Sequence, residues 1–129
     1  EIKDHRMTGA GGNIVDKNQL VFRLNRIIQA IEARTGLDDL DFASKAMLSF
    51  IADAEFDRKL LRISDVVKVP AFGTAPTVFS RLSQLEKSGW IRYSDDPNDK
   101  RVKLLGLTPA SRRAYQKMSL ELSKLLEQV

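Results

Sequence analysis

The sequence predicts a mainly helical fold with one small β-hairpin, and three observations carry that prediction. Apolar residues recur at helical spacing near both ends, at Leu20, Leu24, Ile27, Ile28 and Ile31 and again at Tyr115, Met118, Leu122, Leu125 and Leu126. Between these stripes lie further helical segments bounded by Pro, Gly and capping residues. After them come two short apolar runs, "WIRYS" and "VKLLGL", separated by the charged cluster "DDPNDKR", which is the pattern of two strands and a turn.

In chain order, the first helix runs from Asp16 to the stop at Thr35-Gly36, and "LDDLD" follows as a polar connection. "FASKAMLSFIADAEF" resumes helical spacing through Ala43, Met47, Phe50, Ile51 and Ala54. "RISDVVKV" reads as a short helix with Ser64 as its cap and Asp65 at the positive end of its dipole, ended by Pro70 and Gly73. A fourth helix starts at Thr74 as N-cap, tolerates Pro76 in its first turn and stops at Gly89. Thr108 caps the last helix, with Pro109 at its first position.

Composition narrows the function classes. The chain has 129 residues, 43% hydrophobic and 29% charged, which suits one folded unit. Its formal net charge of +4 is compatible with a polyanionic partner but weak evidence alone. There is no cysteine, so thiolate metal sites and disulfides are excluded. The single histidine, His5, lies in an opening segment, residues 1–15, expected to be a flexible tail or a remnant of cloning. A histidine-based catalytic triad is therefore not expected, and "GAGG" in that segment lacks the Lys-Ser/Thr of a phosphate loop. "SDDPND" lacks the central Gly and spacing of a calcium loop. We expect no enzyme, no metal and no cofactor. No apolar run approaches the roughly 18 residues of a membrane helix, so no membrane partner is expected and a cytoplasmic location is.

A short helix, a tight turn, a second capped helix and a charged hairpin form the order of a winged helix-turn-helix. At 100° per residue, Val78, Leu82 and Leu85 fall on one side of the second of these helices, and Thr77, Ser80, Arg81 and Gln84 on another arc. The first set suits a core. The second can contact base edges and phosphates in a major groove, although a solvated polar face would look the same.

From Leu82 the sequence reads "LSQLEKSGWIRYSDDPNDKRVKLLGLT". Leu-x-x-Leu-Glu-x-x-Gly, Asp-Pro-x-Asp-x-Arg and Leu-x-Leu-Thr closely resemble the MarR family of bacterial winged-helix transcription regulators, and "APTVFSRL" matches the start of that family's recognition helix. The resemblance is strong over residues 63–113. It implies a single domain over 16–129, with a winged helix-turn-helix lobe at 41–108 flanked by N- and C-terminal dimerisation helices at 16–40 and 109–129. It implies a repressor that binds double-stranded DNA as a homodimer on a pseudo-palindromic operator. Thr74, Ala75, Pro76, Thr77, Ser80, Arg81 and Gln84 would belong to the DNA-binding recognition helix, and Asn98, Asp99, Lys100 and Arg101 to the wing. Arg101 would enter the minor groove with its guanidinium oriented by Asp99, while Asn98 and Lys100 meet the backbone and Asp95 and Asp96 restrain the turn or repel off-target approach.

The two terminal stripes would supply the dimer surface, set two recognition helices about 34 Å apart, and leave room for a small-molecule effector, which in many members is an aromatic or phenolic anion. Those stripes would equally serve as an interior within one subunit. Two departures from the family pattern stand out: Ser111 occupies a place where many members have Gly, and the chain ends at Val129, where a terminal dimerisation segment is expected to be short or absent. Leu82, Leu85, Ile91, Leu105 and Leu107 are expected in the core, with Trp90 and Tyr93 packing the hairpin. The alternative function is a winged-helix protein-protein interaction module without specific DNA binding.

Overall fold

The computed structural model describes residues 16–128, so the expectations for the opening segment, His5 and "GAGG" among them, lie outside the described residues. A single turn of 3-10 helix, Lys17–Gln19, leads into helix α1 (Leu20–Thr35), which ends on Gly36 at φ 88° with its N–H returned to the Glu32 carbonyl. "LDDLD" is not merely polar: Leu37–Asp39 form a second 3-10 turn, and the tight winding buries Leu37 to 2% exposure beside half-buried Leu40.

Helix α2 (Phe42–Phe56) is capped by Asp41, whose carboxylate accepts the Ser44 N–H at 2.8 Å. It buries Met47, Leu48, Ile51, Ala52 and Ala54. Strand β1 (Leu61–Arg62) precedes the short helix α3 (Ile63–Val67). The cap expected at Ser64 is made elsewhere: Arg62 is the N-cap residue, and Asp65 reaches back to accept its N–H at 2.8 Å. A 3-10 turn at Pro70–Phe72 and Gly73 then turn the chain into helix α4 (Ala75–Lys87). This helix closes with the Trp90 N–H on the Leu85 carbonyl and the Gly89 N–H on that of Glu86, with Gly89 at φ 83°.

Strands β2 (Ile91–Asp96) and β3 (Asp99–Leu107) form the hairpin, and helix α5 (Pro109–Leu126) completes the described fold. The expected two-stranded hairpin is a three-stranded antiparallel sheet in the order β1-β3-β2, with Leu61 opposite Leu105 and Ile91 opposite Leu107. All five expected core residues are buried, and Trp90 and Tyr93 pack against the core's edge. Burying such aliphatic side chains stabilises the fold by about 1.5–3 kcal/mol each.

Helices α1 and α5 pack on each other, so part of the terminal stripes is used within one subunit. Ile31, at 0% exposure, and Leu125, at 3%, are spent inside the subunit. Ile28, Tyr115, Met118 and Leu122 line a cleft of about 310 Å³ between α1, α2 and α5, while Leu20, Leu24 and Ile27 are half-buried. Of the expected dimer residues only Leu126 is exposed; the other exposed large apolar side chains of these two helices are Val21, Phe22 and Leu120. A stripe at helical period satisfies the nearest partner, here the subunit's other terminal helix. Ser111, buried in the first turn of α5, donates its hydroxyl to the Trp90 carbonyl at 2.6 Å, a bond Gly could not make. No helix among the described residues is long and apolar enough to cross a membrane.

Candidate nucleic-acid interface

Helix α4 turns Val78, Leu82 and Leu85 into the core, so its intervening residues face out. Thr74, Pro76, Thr77, Ser80 and Gln84 are exposed and Ala75 is half-buried. Pro76, Thr77, Ser80, Arg81 and Gln84 line one open depression of about 410 Å³. Thr74 has the extended backbone of an N-cap, but its hydroxyl pairs with that of Thr77 at 3.1 Å instead of a backbone N–H. The first-turn N–H groups of Ala75 and Thr77 thus have no side-chain cap, and Pro76 between them has no N–H to satisfy. Phe79, also exposed, escaped the sequence reading because hydroxyl and amide residues were the signal sought.

Arg81 is not free, contrary to the expectation for the whole arc. Its Nη1 donates to both Asp41 carboxylate oxygens, at 3.1 and 3.0 Å, and to the Ser44 hydroxyl at 3.3 Å. Asp41 is held down at about 2, chiefly by the Ser44 N–H and hydroxyl and then by Arg81, so it is ionised at neutral pH. Helix α4 is thereby tied to the start of α2. Asp41 was absent from the expected site; its one sequence signal was an Asp immediately before a helical run.

The wing tip allocates its charges in pairs. The turn itself is only Pro97-Asn98, because most of the charged cluster lies in the strands. Pairing jumps from Asp95 opposite Lys103 to Asp96 opposite Asp99, so Lys100, Arg101 and Val102 bulge out of the ladder. Asp96, 3% exposed, accepts the Asn98 N–H at 2.8 Å and faces Arg62 Nη2 at 3.5 Å. Asp95 pairs with Lys103. Asp96 therefore restrains the turn, and each of the two acids is paired with a cation.

Asp99 accepts Arg101 Nε at 3.1 Å, Nη2 at 3.3 Å and the Arg101 N–H at 3.1 Å, a forked arrangement that fixes a guanidinium 90% exposed to solvent. The Arg101 side chain, then its N–H, keep the Asp99 carboxyl below its ordinary range, with Arg62 adding to the effect. Asn98 and Lys100 are exposed beside it. Three carboxylates thus meet four cations, and Lys100 has no ion-pair partner among the described residues. Arg62 was missed because a two-residue strand shows no periodicity.

Behind the wing, Glu55 joins three elements. It accepts the Leu107 N–H at 2.9 Å and Arg112 Nε at 2.7 Å, and Arg112 also reaches the Leu107 carbonyl at 3.3 Å. Burial opposes its charge, but Arg112, the Leu107 N–H and nearby Arg92 outweigh that and lower its pKa. A side chain at Gly106 would sit 3.1 Å from Glu55 Oε1, so glycine lets the carboxylate approach. The strut links α2 and α5 to the base of β3.

The sequence matches no protein-family model and no curated protein. Solved structures do match. The S. aureus MepR–DNA complex has a TM-score of 0.58 at 19% identity, covering 86% of this chain and 84% of that one. S. aureus MepR bound to ethidium bromide gives 0.59 at 21% identity over 89% and 84%. The transcriptional regulator Tm0710 from Thermotoga maritima gives 0.61 at 16% identity over 86% and 72%. These likenesses show the fold: a winged helix-turn-helix of the MarR type, mainly helical with a three-stranded wing sheet.

Proposed function

We propose that this chain is a sequence-specific regulator of transcription, acting as a repressor, that binds double-stranded DNA through α4 and the β2–β3 wing. The observation that carries the reading is the forked Asp99–Arg101 pair, which presents an oriented, solvent-exposed guanidinium from a hairpin bulge. Such a group fits the narrow, strongly negative minor groove. Thr77, Ser80 and Gln84 offer hydroxyl and amide contacts for the adjacent major groove. One solved structure of the same fold is a MepR–DNA complex, which supports this mode.

A homodimer on a pseudo-palindromic operator completes the reading. The exposed Val21, Phe22, Leu120 and Leu126 would form its contact. A small-molecule effector would enter the cleft between α1, α2 and α5, whose walls carry Lys45 paired to Glu32 at 3.3 Å and the Tyr115 hydroxyl 3.4 Å from Ser49. MepR bound to ethidium supports an effector of some kind for this fold.

Equilibrium binding to duplex DNA across a salt series tests the function. Phosphate neutralisation makes log affinity fall linearly with log salt. A flat response, or no duplex binding, would favour the protein-interaction module.

A further inference from the structure

Arg81 is the one cation of the reading arc, and only one of its nitrogens is engaged: Nη1 meets Asp41 and Ser44. Asp41 is anchored independently as the N-cap of α2 through the Ser44 N–H at 2.8 Å. We propose that Asp41 is a specificity-determining residue that competes with DNA for the Arg81 guanidinium. The inference rests on the regulator reading above.

A carboxylate presents a guanidinium with the same paired acceptor oxygens as a phosphate, and guanine offers it a comparable pair in the major groove. Asp41 therefore occupies one donor, Nη1, of the guanidinium that an aligned pair of DNA acceptors would take. Because the cap fixes Asp41, Arg81 leaves it behind when it swings toward a duplex, and an unpaired carboxylate then stands beside the reading face. A duplex that gives Arg81 two aligned acceptors replaces the lost pair. One that offers a single, poorly placed phosphate does not. Asp41 thus suppresses binding to random sequence more than binding to the operator.

Asn caps a helix as well as Asp does, so Asp41→Asn keeps the Ser44 bond while removing the charge. Asp41→Ser, also a good cap, is the second variant should the first fail to fold. Affinities for a selected operator and for a random-sequence duplex are to be measured for the parent protein, Asp41→Asn, Arg81→Ala and the double variant. Asp41→Asn is expected to strengthen random-duplex binding about two- to fivefold, the range set by an exposed ion pair. The operator gains less, so the operator-to-random ratio falls, and Arg81→Ala abolishes the difference.

An unchanged ratio would overturn the proposal. So would weaker binding to both duplexes, which would make Asp41 a support for Arg81, or a gain that persists in the Arg81→Ala background, which would be a general charge effect. A parent protein with no affinity for any duplex would overturn the regulator reading itself and this inference with it.

Discussion

Arg101 and Arg81 are both guanidiniums on the proposed DNA surface, and each is paired with an aspartate, yet the two pairs do different work. Asp99 lies two residues from Arg101 and grips its Nε edge, which leaves the side chain extended into solvent. Asp41 lies forty residues from Arg81 and draws it back against α2. The first pair was legible in the sequence because its partners are local. The second was not, because only the packing of two helices brings it together. Arg101→Ala is expected to weaken binding to all sequences and to lower the salt slope by about one, read by titration at several salt concentrations. An unchanged slope would remove Arg101 from the interface. The same local logic made Asp96 readable as a turn restraint, while its partner Arg62, from the strand before α3, stayed hidden.

Among the elements, helices with sharp punctuation were the most legible. Gly36, Asp41, Gly89 and Thr108 stand at the ends of α1, α2, α4 and α5, and each is explained by local backbone chemistry. What escaped was what depends on neighbours: β1 is a strand only because β3 pairs with it, and Leu37 is buried only because a 3-10 turn points it at the core. The wing was read with too long a loop because charged residues signal turns, whereas here Asp95 and Lys103 pair across the ladder as strand residues. Gly89 allows a direct test of the punctuation. Its φ of 83° is left-handed and nothing lies within 4 Å of an added Cβ, so Gly89→Ala costs backbone strain alone. A loss of about 1–2 kcal/mol is expected, seen as a lower thermal midpoint with the wing and core intact. An unchanged midpoint would show that the end of α4 does not depend on this geometry.

For the whole molecule, the question is which apolar surface would join two copies in the proposed dimer. The terminal stripes looked like dimer surface in the sequence, but a periodic pattern cannot say whether its partner is the same chain or another. The structure divides them: Ile31 and Leu125 belong to the subunit, and Val21, Phe22, Leu120 and Leu126 remain outside. Phe22, 58% exposed, can therefore be charged without opening the core. Phe22→Asp is expected to sediment as a folded monomer while the parent sediments as a dimer. Ile31→Ala is expected to cost about 2–5 kcal/mol of stability. A monomeric parent, or a Phe22→Asp protein that remains dimeric, would remove this surface from the assembly.

The most direct test of the account is selection of randomised duplex DNA by the unmodified protein. It should enrich one inverted repeat whose half-sites are centred about one helical turn apart, the spacing set by two recognition helices related by a two-fold axis. Recovery of duplexes with no shared sequence, or of none above background, would contradict it.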